Sequence, residues 1–107
     1  MCFLDKPTVP LDVHVTSYSR DSVTVAWSVP EDDGGVPVTS YLVERRDVNR
    51  TSWIKTNEVP ANTLTSTTTK LVEGNQYLFR VAAINAVGQG PEATINEPVT
   101  AKCSFGE

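Results

Sequence analysis

Apolar residues in this chain recur at every second position, and nowhere do they recur at three and four residues over a helix-length window. A period of two marks half-buried strands, because successive side chains point to opposite faces of a pleated backbone. Leu11, Val13 and Val15 alternate with Asp12, His14 and Thr16 and predict a first strand after Pro7 and Pro10. Val23, Val25 and Trp27 predict a second, stopped at Pro30, which cannot donate a ladder hydrogen bond. A third is expected over Val38 to Asp47, with Tyr41 and Val43 on one face and Leu42, Glu44 and Arg46 on the other. Trp53 to Asn57 reads as a short fourth strand. Thr63 to Thr69 reads as a fifth, since β-branched Thr suits a half-exposed pleat. Gln76 to Asn85 is the sixth, with Tyr77, Phe79, Val81 and Ala83 on one face. A seventh is expected within Glu97 to Lys102, after a turn at Gly88-Gln89-Gly90-Pro91.

Seven short strands separated by turns, with no helix between them, predict an all-β antiparallel sandwich or barrel. A length of 107 residues, 39% of them hydrophobic, allows one domain with a core of its own. An odd number of antiparallel strands sends the chain in at one pole and out at the other. The two cysteines, Cys2 and Cys103, are then a strand length or more apart. That exceeds the ~6 Å Cα spacing a disulfide tolerates, so both are expected as free thiols. The fold must be held by its core, and the cysteine count is compatible with a reducing cytosol.

Charge and hydropathy narrow the partners. Nine Lys and Arg against thirteen Asp and Glu give a net charge of -4, opposite in sign to a phosphate-binding surface, so nucleic acid is not expected. Leu78 to Ile84 is the most apolar stretch, and it is broken by Arg80 and too short to cross a bilayer, so no membrane partner is expected. The opening Met1-Cys2-Phe3-Leu4-Asp5-Lys6-Pro7 lacks the basic start and long apolar run of a signal peptide.

Several motifs in order resemble a fibronectin type III domain: Trp27, Tyr41-Leu42-Val43-Glu44, Leu71 through Glu73-Gly74-Asn75-Gln76 to Tyr77, Phe79-Arg80-Val81-Ala82-Ala83-Ile84-Asn85, and Gly88-Gln89-Gly90-Pro91. The resemblance spans Pro7 to Lys102, leaving 1–6 and 103–107 as joining segments. It implies a seven-stranded, immunoglobulin-like β-sandwich, a three-stranded sheet packed on a four-stranded one, with Trp27 and Tyr41 in the core and no intersheet disulfide. Tyr77 fits a tyrosine corner, its hydroxyl bonded to backbone upstream.

A narrower resemblance lies in Pro30-Glu31-Asp32-Asp33-Gly34-Gly35-Val36-Pro37 and the strand after it, followed by Trp53 and Asn57, which is similar to the modules of titin-like giant muscle proteins. It implies a structural and interaction module, a spacer of fixed length and a scaffold in the cytoplasmic A-band of the sarcomere. The partners implied are adjacent immunoglobulin or fibronectin type III modules of the same chain, and myosin or myosin-binding proteins. An extracellular adhesion or receptor module is the alternative. No Arg-Gly-Asp occurs in the chain, and a glycan on the Asn49-Arg50-Thr51 sequon would favour that alternative.

Chemistry-bearing residues are few. His14 is the lone histidine, on a polar strand face without a predicted nucleophile and acidic orienter, so no catalytic residue is assigned and no enzyme is expected. There is no phosphate-cradling Gly-rich loop, no zinc-ligand spacing and no cofactor motif. Glu31-Asp32-Asp33 lacks the alternating ligands of a calcium loop, so no metal site is assigned. What remains is a face. The third and sixth strands neighbour each other in this fold, placing Leu42, Glu44, Arg46, Leu78, Arg80 and Ile84 on one exterior sheet surface, the candidate protein-binding face. Glu44 and Arg80 are also positioned to pair across the strands. Trp53 is expected to pack on the body of the domain.

Overall fold

The structure, a computed structural model, describes residues 4–103. Cys2, one of the two thiols expected from the sequence, lies outside them, whereas Cys103 is a half-buried free thiol. Among the described residues, eight strands form two antiparallel sheets. The first sheet holds β1 (Leu11–Tyr18), β2 (Val23–Ser28) and β5 (Thr65–Thr68) in the order β1-β2-β5. The second holds β3 (Ser40–Asp47), β4 (Ile54–Pro60), β6 (Gln76–Ile84), β7 (Gln89–Thr94) and β8 (Val99–Thr100), ordered β4-β3-β6-β7 with β8 also on β6.

The all-β sandwich is as expected, with one correction. The second sheet has five strands rather than four because its last lane is broken in two. β7 pairs with Arg80 to Ile84 and β8 with Gln76 and Tyr77, along the same edge of β6. The sequence places only β8, since Gly88-Gln89-Gly90-Pro91 reads as a turn. Most of that run is instead strand, for two physical reasons. A Cβ on Gly90 would lie 2.1 Å from the Pro7 carbonyl oxygen, so glycine is there for close backbone approach. Pro91 stands on a sheet edge, where a missing N–H removes no interior ladder bond, and the register shift between Ala82 and Ile84 absorbs the irregularity.

Two further boundaries move. β4 runs on to Pro60, so that Val59 rather than an earlier residue enters the core. In β1 the alternation fails at its start. Asp12 has φ +58°, the register shifts between Leu11 and His14, and Leu11 is left exposed while Val13 and Val15 pack inward.

Between the sheets lies the core. Val23, Val25 and Trp27 of β2 face Tyr41 and Val43 of β3 and Tyr77, Phe79, Val81 and Ala83 of β6, all buried. Trp27 and Tyr41 rings meet with centroids 5.5 Å apart at 57°, a tilted packing that adds to the burial of both. The Tyr77 hydroxyl accepts a hydrogen bond from the Val72 amide, the expected tyrosine corner.

Loops and termini close the two poles. At one pole the Asp5 amide donates to the Gly34 carbonyl and the Thr8 amide to the Asp32 carbonyl, so the lead-in segment is zipped along the β2–β3 loop. Asn85, 4% exposed, staples this pole. Its Nδ2 donates to the carbonyls of Asp5 and Asp33, both at 2.8 Å, and its Oδ1 accepts from the amides of Val87 and Gly88. At the other pole the Leu71 amide reaches the Asp21 carbonyl, the Val48 amide the Gln76 carbonyl, and the Gly74 amide the Ala101 carbonyl.

Candidate protein-binding face

The β3–β6 register sets the candidate face. Glu44 lies opposite Arg80, Arg46 opposite Leu78, Leu42 opposite Ala82 and Ser40 opposite Ile84. Leu42, Glu44, Arg46, Leu78, Arg80 and Ile84 therefore occupy neighbouring lanes in the even-numbered parity, away from Val43, Val81 and Ala83. All six are half-buried. Leu78 also touches the margin of the core cluster.

Arg80 is the hub. Its Nε lies 2.7 Å from Glu44 Oε1 and its Nη2 lies 3.7 Å from Glu92 Oε2. Its guanidinium stacks over the Trp53 ring at 4.2 Å from the centroid. Arg46 approaches the same ring at 5.6 Å, and its Nη1 donates to the Arg50 carbonyl. Trp53 thus packs on the domain by lying across two arginines. Side-chain exposures of 23% for Arg80 and 17% for Glu44 put the pair beyond a freely solvated bridge. Such a cross-strand ion pair contributes about 1 kcal/mol, and the cation–π contact a similar amount.

The face is consequently a locked mosaic with apolar ground at Leu42 and Ile84 and a charged centre. Two of its members escape the sequence reading. Glu92 belongs to β7, whose residues lie beyond the misread turn. Ala82 has the outward parity yet is fully buried.

Away from this face, His14 is exposed, its Nδ1 2.6 Å from the Asp12 carbonyl oxygen. In the acidic β2–β3 loop, the Gly34 amide donates to Asp32 Oδ1 and the Gly35 amide to Asp33 Oδ1, so both carboxylates fold back on their own backbone. Asn49 sits exposed in the β3–β4 turn, where its amide donates to Asp47 Oδ1. Among the described residues, two ionisations are displaced. The Glu58 carboxyl is held below its ordinary range, chiefly by a hydrogen bond from Lys55 at 3.2 Å and another from the Ser40 hydroxyl. Burial pushes the Tyr41 phenol up.

Comparison with known proteins agrees with this architecture. The chain is 33% identical over 102 residues to titin of Drosophila melanogaster, covering 95% of this chain and 1% of that protein. It is 37% identical over 95 residues to fast-type myosin-binding protein C of Gallus gallus, covering 89% of this chain and 8% of that protein. It therefore spans only a small part of the relatives it matches. A titin crystal structure superposes with a TM-score of 0.85 at 32% identity, over 92% of this chain and 33% of that one. The twitchin kinase region from C. elegans gives 0.85 at 28% identity, over 94% and 17%. The fibronectin type III domain description matches residues 5–99, the span that holds β1 through β7, the tyrosine corner and the first residue of β8. The chain belongs to the fibronectin type III family, as a non-catalytic β-sandwich module of the kind found in titin and other muscle proteins.

Proposed function

We propose that this chain is one module of a giant sarcomeric filament protein of the titin kind, a mechanical spacer and a scaffold for thick-filament proteins such as myosin in the cytoplasmic A-band. The observation that carries the reading is the likeness to muscle modules across nearly the whole chain, joined to a fold that suits axial load. The lead-in segment is bonded at one pole and β8 is bonded to β6 at the other. Antiparallel ladder bonds lie perpendicular to their strands. A pull along the axis therefore loads the β1–β2 and β6–β8 bonds side by side rather than one after another. The sandwich proper spans 7–102 in this reading, with joining segments on either side.

The scaffold role falls to the mosaic of Leu42, Glu44, Arg46, Leu78, Arg80 and Ile84. Its apolar ground and Arg46, which has no ion pair among the described residues, suit a protein surface, and weak contacts of this kind sum along a row of modules through effective concentration. Single-molecule extension of a concatenated chain tests the spacer, with one cooperative unfolding step per module expected. Extension without such steps overturns it. Co-sedimentation of the concatemer with myosin filaments tests the scaffold, and binding unaffected by Arg46→Glu removes the face from it.

A further inference from the structure

The β3–β4 turn carries cations that no carboxylate answers. Its hydrogen bonds run from the Arg50 amide to the Asp47 carbonyl, from the Asn49 amide to Asp47 Oδ1 and from Arg46 Nη1 to the Arg50 carbonyl. Asp47 Oδ2 accepts from Asn75 Nδ2, so this aspartate is held by amides rather than by arginine. The ion pairs among the described residues join Lys55 to Glu58, and Arg80 to Glu44 and Glu92. Arg46 and Arg50 belong to none of them, although the chain as a whole carries a net charge of -4.

Arg46 also brackets two hydroxyls. Its guanidinium reaches the Arg50 carbonyl on one side and lies 5.6 Å from the Trp53 ring centroid on the other. Thr51 and Ser52 are the residues between those two contacts. Both are exposed and outside the strands, and none of the turn's hydrogen bonds among the described residues uses their hydroxyls. Exposed turn backbone of this kind opens readily and gives a modifying enzyme access. Ser52 has Arg50 two residues before it and Trp53 directly after it. A basic residue just upstream of the acceptor is a charge pattern by which kinases discriminate among substrates.

We propose that Ser52 is a phosphorylation site for an arginine-directed serine kinase, and that Arg46 and Arg50 receive the phosphate. In the transfer the Ser52 Oγ bonds to the γ-phosphorus of ATP, and the bond from that phosphorus to the oxygen bridging it to the β-phosphorus breaks. ADP leaves and the hydroxyl proton passes to the kinase. The product bears about two negative charges and three strong acceptor oxygens, which two guanidinium groups meet through charge-assisted hydrogen bonds. Phosphate held there ties the turn to β3 through Arg46 and withdraws that arginine from the candidate face. The withdrawal matters to partners only on the scaffold reading; the phosphorylation site and its receptor do not depend on it.

Incubation of the folded chain with MgATP and the catalytic subunit of cyclic-AMP-dependent protein kinase tests it, with mass spectrometry locating the phosphate. The expected result is a single phosphate, on Ser52. Arg50→Ala loses the modification, whereas Arg46→Ala keeps it, because Arg46 stands six residues upstream of the acceptor. Phosphorus NMR then follows the second ionisation of the phosphate with pH. In the wild-type chain it lies about one pH unit below its ordinary value near 6, since two cations favour the dianion, and in Arg46→Ala it moves back towards that value. Ser52→Ala takes up no phosphate and melts as the wild-type chain does, since no hydrogen bond of the hydroxyl is lost. A chain left unmodified, or modified on another residue, overturns the site. An ionisation equal in the wild-type chain and Arg46→Ala overturns Arg46 as receptor. Neither readout involves myosin or an applied force, so failure here is distinguishable from failure of the spacer and scaffold readings.

Discussion

The Tyr77 hydroxyl accepts the Val72 amide proton at 3.0 Å, across the tight turn that leads into β6. Both sit where the β5–β6 connection crosses from one sheet to the other, and Tyr77 is buried. The bond therefore fixes the crossing to the core.

Tyr77→Phe keeps the ring and removes the acceptor, leaving a part-buried amide unpaired. The cost is about 1 kcal/mol, the net value of one such hydrogen bond. A urea melt reads it directly as a lower midpoint at unchanged slope. An unchanged midpoint would show that the hydroxyl does not tie the corner.

Arg46 and Arg80 separate under charge reversal, although both lie on one face and touch one tryptophan. Arg80→Glu sets a third carboxylate beside Glu44 and Glu92 and removes the cation under Trp53. A loss of about 2–3 kcal/mol is expected, the range for leaving partly buried charges without their partner. Arg46→Glu forfeits one longer ring contact and one bond to a turn carbonyl, for a loss of about 0.5–1 kcal/mol. Equal losses in thermal melts of the two variants would contradict Arg80 as the hub.

Gly34 and Gly74 share a left-handed backbone, with φ of +82° and +92°, but differ in what surrounds them. At Gly74 nothing lies within 4 Å of an added Cβ, so Gly74→Ala carries only dihedral strain of about 1 kcal/mol. At Gly34 the Cβ would stand 2.0 Å from the Asp5 carbonyl oxygen. Gly34→Ala must therefore unzip the lead-in segment as well and costs more. Amide exchange at Asp5 and Thr8, whose N–H groups bond to this loop, accelerates in Gly34→Ala and stays protected in Gly74→Ala.

Alternation alone made most of the sandwich legible. Trp27, Tyr41, Val43, Tyr77, Phe79, Val81 and Ala83 are core residues because period two on β2, β3 and β6 leaves no other arrangement. The Glu44–Arg80 pairing is readable for the same reason, once β3 and β6 are taken as neighbours. What escaped depends on contacts between segments distant in sequence. Gly90 looks like a turn residue until Pro7 is seen against it, and with β7 misplaced Glu92 could not join the arginine network. The stacking of Trp53 on Arg46 and Arg80 follows from the β3–β4 register, in which Ile54 pairs with Arg45, a long-range pairing that local alternation does not set. Asn85 reads as the end of a strand, yet it holds four backbone groups whose positions only the closed pole defines.

Tyr41 links core and pole, and its ionisation reports on both. Burial opposes the phenolate, so the native state holds the proton above the ordinary pKa of 10.0. The unfolded chain releases it near that ordinary value. Between 10.0 and the raised native value the folded state binds more protons, so stability falls as pH climbs through this window and is unaffected below it. Tyr41→Phe removes that loss. At neutral pH the variant stays close to wild type in stability, because the hydroxyl has no hydrogen-bond partner among the described residues to forfeit. Denaturant melts of both chains at neutral and strongly alkaline pH make the comparison. The curves coincide at neutral pH and part above pH 10.0, with Tyr41→Phe the more stable. A variant much weaker at neutral pH would reveal a hydroxyl already bonded.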